Sequence, residues 1–371
     1  MQIIQIISGD LWAGAEVMYY RLQKGLYNFQ DINLTSILLN EGKLAEEIRN
    51  LGIPVIVVDE TRLNFFQILR NIENIVRQIS PDIIHSHRMK ENILAYMSVR
   101  NYDKKIHLIS TQHGMLEPLR EKLKWMKETI LTKYNYYILS KYFKYVIAVS
   151  EDVKNNLIKY YDVPASKVLT INNGTDVLKH NINGKKKSVF KIGSAGRFFP
   201  VKDYILMVEI AHEVLKINDN VLFELAGEGP EKNKIFDLVR KYKLEKVFIN
   251  KGFLNDMNNF YQGLDIYINT SLHEGNPISV LEAMAHGLPV IAPNTGGLKE
   301  ILVDELQGLL VEGRNPKSFA EKCLQLYSDD DLRLKMGFAS RNRVIKVFST
   351  ENMINNYHNL YRKILNINIL T

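Results

Sequence analysis

The stretch Glu274-Gly-Asn-Pro-Ile-Ser-Val-Leu-Glu282 carries two carboxylates at a spacing that allows definite chemistry. Apolar residues ending near Thr270 read as a strand, Gly275 permits a sharp turn, and Pro277 suits the first position of a helix. That helix is predicted over Ile278–Ala285 and is stopped by Gly287. Its free backbone N–H groups around Asn276 to Ile278 favour an anion. Glu274, just before the helix, cannot bind a phosphate and is suited to accept hydrogen bonds from neutral groups such as sugar hydroxyls. Glu282, about two turns further on, can reach a second pair of hydroxyls. Each glutamate also has a plainer explanation: a carboxylate favoured by the helix dipole, and an ordinary one on a helix face.

Other segments have chemical potential of their own. Gly193-Ser-Ala-Gly196-Arg197-Phe-Phe-Pro-Val-Lys202 is a strand ending in glycine, followed by an arginine and a lysine. A guanidinium fork and an ammonium point charge stabilise negative charge on a departing phosphate; a solvated basic pair is the alternative. Trp12-Ala13-Gly14-Ala15-Glu16 is a small-residue loop opening a helix, a weak phosphate-binding signal by itself. Asp82-Ile-Ile-His85-Ser-His87 puts two imidazoles on one face of a strand. No third ligand at a fitting spacing is evident, so hydrogen-bonded strand-end histidines are favoured over a metal. Thr111-Gln-His113-Gly114 ends the next strand, and Ala226-Gly-Glu-Gly229-Pro230 is a further strand–turn–helix junction. Asp329-Asp330-Asp331 follows Ser328 at a helix start and reads as a cap.

Taken together, Glu274-Gly-x-Pro-x4-Glu282-Ala-Met-Ala-x-Gly-x-Pro-Val and Gly296-Gly297-x-x-Glu300 resemble the E-x7-E signature of glycosyltransferase family 4, retaining enzymes of GT-B fold. The resemblance covers nearly the whole chain. It implies that Glu274 contacts the donor sugar, that Glu282 holds the ribose hydroxyls, and that the backbone of Gly275, Asn276, Pro277 and Ile278 lies near the sugar and its phosphate. It assigns Arg197 and Lys202, with Gly196, to the leaving diphosphate, Gly252 and Phe253 to the base, and His113 to the donor sugar. Gly14 matches the family's Gly-Gly-Ala-Glu loop, near the diphosphate or acceptor; Ala13 replaces the first glycine there, which is expected to alter the turn. Asn276 stands where many members carry Phe, which marks the sugar pocket as the place where this chain differs. No metal or other cofactor is implied. The donor expected is a UDP-sugar in preference to a GDP-sugar, and the acceptor a glycan or lipid-linked saccharide in bacterial surface polysaccharide synthesis. A sugar-nucleotide 2-epimerase on the same fold is the main rival. A dehydrogenase lacks a full G-x-G-x-x-G here, and a non-catalytic sugar-binding protein is the third reading.

These residues need a scaffold, and the chain supplies one by alternation. Apolar runs at Gln2–Ser8, Leu34–Leu39, Pro54–Asp59, Asp82–His87, His107–Gln112, Tyr145–Ser150 and Lys167–Ile171 read as buried strands, with amphipathic helices such as Phe65–Ile79 between them. A polar segment, Asn172–Lys187, reads as a linker. Strands then resume at Lys191–Ala195, Val221–Ala226, Val247–Asn250, Asp265–Thr270, Pro289–Pro293 and Gly308–Val311, and the chain is helical from Lys317 onward. The fold class expected is α/β, two doubly wound Rossmann-like domains facing a cleft. Residues 1–180 form the acceptor-binding domain, 181–349 the nucleotide-sugar domain, and 350–371 a helix returning to the first.

Bulk composition narrows the remaining classes. The 371 residues, 46% apolar and 24% charged, suit a globular chain of two domains. A single cysteine, Cys323, excludes a disulfide framework. The net charge of +7 divides evenly: 23 basic and 19 acidic residues precede Gly184, 25 and 22 follow, so neither half is a polycation and nucleic-acid binding is not expected. The start of the chain reads as a strand and no run of apolar residues is long enough to span a bilayer, so the expected location is cytoplasmic. A local excess lies in residues 120–145, with seven Lys/Arg against two Glu among Trp125, Tyr134, Tyr136, Tyr137, Tyr142 and Phe143. This segment is the candidate for peripheral contact with an anionic membrane at its inner face; a packed helix with a solvated basic face is the alternative.

Overall fold

Strand β1 (Gln2–Ile7) is buried from Ile3 onward, so its isoleucines require cover on both faces of a sheet. The computed structural model, which describes residues 1–114, 122–177, 189–303 and 305–367, supplies that cover twice over, in two separate units. One unit comprises Met1–Gly174 with Thr350–Thr371, the other Thr175–Ser349.

In the first unit, β1, β2 (Asn33–Leu38), β3 (Val55–Val57), β4 (Ile83–Ser86), β5 (His107–Gln112), β6 (Tyr145–Ala148) and β7 (Val168–Thr170) form one sheet in the order β3-β2-β1-β4-β5-β6-β7. The second unit's sheet has the order β10-β9-β8-β11-β12-β13, from β8 (Phe190–Ala195), β9 (Val221–Ala226), β10 (Phe248–Gly252), β11 (Ile266–Ile268), β12 (Val290–Pro293) and β13 (Gly308–Val311). Every strand pair among the described residues is parallel. The thirteen strands each overlap the apolar run expected for it. Parallel neighbours need crossover helices, and these are α1 (Gly14–Leu26), α2 (Lys43–Asn50), α3 (Phe65–Ile79), α4 (Met89–Val99), α5 (Lys122–Tyr142) and α6 (Glu151–Tyr161) in the first unit. In the second they are α7 (Tyr204–Leu215), α8 (Lys232–Lys241), α9 (Asn258–Gly263), α10 (Ile278–Ala285) and α11 (Leu298–Ile301), while α12 (Pro316–Ser328) and α13 (Asp330–Val347) follow the last strand.

Local signals set several of these ends. Asn64 and Gln67 close a reciprocal capping box at the start of α3. Asp329 caps α13 by accepting from Leu332 N at 2.8 Å, as read from the sequence. Cys323 is buried on α12, where burial pushes its thiol up to about 12. Pro277 departs from the expected position: it caps α10 with extended backbone, and Ile278 is the first helical residue.

The C-terminal helix α14 (Thr350–Ile364) belongs to the first unit. Tyr357 and Tyr361, one turn apart, are fully buried on it, and it packs on α1, where Gly25 makes room for Ile354.

Helix α5 corrects one expectation. Tyr136 and Phe143 are core residues, Tyr136 stacked on Tyr161 with centroids 3.8 Å apart, so neither can meet a membrane. Tyr134, Tyr137 and Tyr142 are exposed, together with Ile130 and Leu131. Residues 115–121 and the side chain of Trp125 lie outside the described residues, as do residues 178–188 of the expected linker.

A buried amide ties α4 and α5 to the sheet. Asn92 Oδ1 accepts from Ser86 Oγ on β4 at 2.6 Å and from Ser110 Oγ on β5 at 2.7 Å, while its Nδ2 donates to Asn135 Oδ1 on α5 at 2.9 Å. Removing it would leave several buried polar groups short of a partner. Asn92→Ala is therefore expected to lower unfolding free energy by about 2–4 kcal/mol, read from the urea midpoint at constant m-value.

Candidate active site

In each sheet, one pair of neighbouring strands has connections that leave in opposite sequence directions: β1 beside β4, and β8 beside β11. The loops beyond the carboxyl ends of such a pair part to opposite faces and leave a crevice, the usual ligand position in open α/β sheets. The chemistry-bearing residues collect there.

In the second unit, the loop after β8 carries Gly196, Arg197 and Lys202, and the loop after β11 carries Ser271 and Glu274. Lys202 Nζ lies 2.5 Å from Glu274 Oε1, with side chains 22% and 11% exposed, and Ser271 Oγ donates to the same oxygen at 2.6 Å. The loops are laced together by backbone as well: Leu272 N donates to Val201 O at 2.7 Å, and Thr270 Oγ1 to Lys202 O at 3.0 Å. Glu274 is held from behind, where its carbonyl accepts from Gly297 N at 2.9 Å. Gly296, at φ +53°, approaches so closely that a Cβ there would lie 2.5 Å from that carbonyl oxygen. Arg197 is exposed, its guanidinium carbon 4.7 Å from the centroid of the Phe199 ring. The Arg197 loop rests on the loop after β9, and Gly227 (φ +135°) admits this contact, since a Cβ would lie 1.9 Å from Gly196 O.

Glu282 projects from α10 and accepts from Tyr261 Oη at 2.9 Å. Gly275, Asn276, Pro277 and Ile278 are buried at the start of α10, where the N–H groups of Ile278 and Ser279 precede the first turn's bond from Val280 N to Pro277 O at 3.2 Å. Gly252 ends β10 and Phe253, 55% exposed, follows it. Sequence reading missed Arg314, which follows β13. It donates to Ser271 O at 3.1 Å and Thr270 O at 2.6 Å and pairs with Asp203, clamping the two loops. Its position just past a strand and Gly313 was the available signal.

In the first unit, the crevice between β1 and β4 is lined by ion pairs that were also missed. Arg88 bonds Glu16, which is fully buried in the first turn of α1, and lies 3.4 Å from Asp10. Ser8 donates to Glu91, whose carboxyl is pushed above the usual range by burial. Gly14 opens α1, and Ala13 before it is extended (φ −136°), a conformation open to any residue, so the alanine needs no altered turn.

His113, after β5, belongs to a histidine cluster. Its Nε2 is 3.2 Å from His87 Nδ1, and the His85 and His87 rings are 4.1 Å apart, as expected for i and i+2 on one face. His85 contacts Tyr361 Oη and Thr111 Oγ1, each at 2.8 Å, and His87 Nε2 contacts Gln5 Oε1 at 3.1 Å. Protein partners therefore take all four ring nitrogens of the Asp82–His87 segment. Among the described residues, no group of three or more His, Cys, Asp or Glu is placed to hold a metal ion. Burial lowers His85 and His113 to about 3 and His87 well below its ordinary value, with smaller contributions from neighbouring imidazoles and Arg88.

Two family models match consecutive parts of the chain: Glycosyltransferase Family 4 over residues 12–178 and Glycosyl transferases group 1 over residues 177–343. The chain belongs to glycosyltransferase family 4; it is a glycosyltransferase of hexosyltransferase type, and its α/β architecture is the GT-B fold. It is 25% identical over 349 residues to the UDP-Gal:alpha-D-GlcNAc-diphosphoundecaprenol alpha-1,3-galactosyltransferase of Escherichia coli, covering 89% of this chain and 88% of that one. A 29% match over 217 residues links it to the poly(ribitol-phosphate) alpha-N-acetylglucosaminyltransferase of Staphylococcus aureus, covering 58% of this chain and 43% of that protein. In fold it is similar to Anabaena HepE, solved with UDP and glucose, at TM-score 0.86 and 17% identity over 98% of this chain and 100% of that one.

The neutral histidines give a test by acid. An unfolded histidine takes up a proton below about pH 6.5, whereas the native His85 and His113 resist until about pH 3. Stability should thus fall as pH drops through this window, by up to about 1.4 kcal/mol per pH unit for each histidine. Urea unfolding between about pH 7 and 4.5 should show a shallower decline for His85→Asn than for the wild type. Equal slopes would mean that the cluster is not neutral in the native state.

Proposed function

We propose that this chain moves a hexose from a nucleoside-diphosphate sugar, a UDP-sugar rather than a GDP-sugar, to a hydroxyl of a glycan or lipid-linked saccharide, with retention of anomeric configuration. The observation that carries the reading is the Lys202–Glu274 pair at the β8/β11 crevice. There, one carboxylate suited to sugar hydroxyls shares a loop junction with an ammonium suited to a diphosphate. Glu274 accepts from donor-sugar hydroxyls, while Lys202 and Arg197 take the charge that develops as the diphosphate departs. Gly196, Gly275, Asn276, Pro277 and Ile278 present backbone to the sugar phosphate. Glu282 holds the ribose, and Gly252 and the exposed Phe253 meet the base; for Gly14 and His113 a role toward substrate is carried by the family resemblance. The retaining course, with departure and attack on one face of the sugar, is carried by the family resemblance. The UDP donor and the lipid-linked acceptor are supported by the name of the Escherichia coli relative, and a surface-polymer acceptor by that of the Staphylococcus aureus one. Both are transferases, which puts transfer ahead of 2-epimerisation.

A panel of nucleotide sugars read by thermal shift and nucleotide release tests this. A UDP-sugar should raise Tm and release UDP when acceptor is added, and Arg197→Ala or Lys202→Ala should lower turnover by about 10²–10³. If no nucleotide sugar binds, the reading fails; interconversion of donor sugars without UDP release would favour the epimerase.

We further propose peripheral contact with an anionic membrane through residues 120–145, placing the enzyme at the inner face of the cytoplasmic membrane. Among the described residues no helix is long and apolar enough to cross a bilayer. Support comes from the exposed Tyr134, Tyr137 and Tyr142 and from a cavity of about 440 Å³ at the amino ends of β5, β6 and β7. Lys105, His107, Lys141, Lys144 and Lys167 line that cavity and no carboxylate does. Burial and the nearby Lys144 lower the Lys167 pKa, a repulsion that a lipid phosphate would relieve. Each basic residue near such a surface contributes about 1 kcal/mol. The protein should cosediment with phosphatidylglycerol vesicles and not with phosphatidylcholine ones, and Lys144→Glu should weaken this. Equally low recovery with both removes the idea.

A further inference from the structure

The polar chain behind His113 has a direction. Gln5 Nε2 donates to Tyr361 Oη at 3.0 Å, which turns the amide oxygen toward His87 Nε2. A carbonyl oxygen only accepts, so His87 Nε2 must carry a hydrogen. Buried and neutral, His87 has just one, and its Nδ1 is a bare lone pair. The bond from that nitrogen to His113 Nε2 must then be donated by His113. His113 is also neutral, so its Nδ1 carries no hydrogen. That atom is buried and has no hydrogen-bond partner among the described residues. With the Gln5 amide reversed, every bond in the chain would reverse and His113 would bury an N–H with no acceptor. A buried donor left without a partner is the rarer arrangement.

We propose that Tyr361, Gln5 and His87 are positioning residues that hold His113 in its Nε2–H tautomer, so that Nδ1 is presented as an acceptor to a substrate hydroxyl. The tautomer is a property of the protein without ligand; only the owner of the hydroxyl rests on the transferase reading. The anchor comes from α14 and the neighbours from β1, β4 and β5. Gln5 and His85 are direct partners in the β1–β4 register, and Tyr361 Oη bonds both. His113 therefore cannot donate a proton from Nδ1, which excludes it as a general acid at that atom and leaves it to orient a hydroxyl.

Histidine ring nitrogens in the ¹⁵N-labelled full chain, read by long-range proton–nitrogen correlation, report the tautomer directly. The signals lost in His113→Asn should show a protonated Nε2 and an unprotonated Nδ1 in the wild type. Gln5→Met should convert His113 to a tautomer mixture and lower kcat on the order of 10-fold or more with donor KM little changed. His87→Asn, whose amide oxygen can stand in for Nδ1, should restore the wild-type tautomer, and His87→Phe should not. Should Gln5→Met fail to fold, Tyr361→Phe frees the same amide and should give the same mixture. A wild-type His113 protonated on Nδ1, or a folded Gln5→Met or Tyr361→Phe with an unchanged tautomer, overturns the proposal. An Nε2–H tautomer in the wild type that Gln5→Met disturbs, in a protein that binds no nucleotide sugar, would instead defeat the transferase reading and leave the positioning chain standing.

Discussion

A parallel sheet cannot be covered on both faces by crossovers that all run one way. Somewhere in the strand order the connections must change direction, and here they do so between β1 and β4 and again between β8 and β11. At those pairs the loops separate and the ends of two strands are left open. Ser8, Glu16, Arg88 and Glu91 gather at the first, and Lys202, Ser271 and Glu274 at the second. Polar side chains can be concentrated there because the surrounding strands and helices have already buried the apolar ones. Arg314, Gly296 and the loop after β9 then fix the geometry of the second crevice from outside it.

The two crevices handle charge differently. The second holds an ammonium and a carboxylate in direct contact, partly open to solvent, so either partner can exchange that bond for one to a ligand. In the first unit, three imidazoles are kept neutral by burial and linked to the C-terminal helix through two tyrosines, Thr111 and Gln5. A neutral imidazole chain of this kind transmits orientation rather than charge, because each ring has a single hydrogen to place. Helix α14 thereby influences an atom at the end of β5 although it is the last element in the chain.

The strands, the starts of α3 and α10 and the residues singled out for the candidate site of the second unit were legible in the sequence. Apolar run length, glycine and capping residues depend on local backbone preference, which is why α3, α10 and the thirteen strands fall where expected. Glu274, Glu282, Arg197 and Lys202 could be singled out as candidates because motif spacing along one chain survives without knowledge of the fold. Other features were not legible. Tyr136 looks like Tyr137 in composition, and only its angular position on α5 decides that it is core, while Phe143 is buried just past the end of that helix.

Sequence alone determined that the chain forms two doubly wound α/β domains and resembles glycosyltransferase family 4, since both readings rest on periodicity and short-range spacing. Tertiary structure decided which distant residues meet: Lys202 with Glu274, Arg314 with both loops, and Tyr361 with Gln5 and His85 across some 276 residues or more. Strand order makes those choices, because neighbours in a sheet are set by how the crossovers pack and not by their order in the chain. The proton on His113 is the furthest consequence: it depends on a tyrosine at the other end of the sequence, and no local pattern could have placed it.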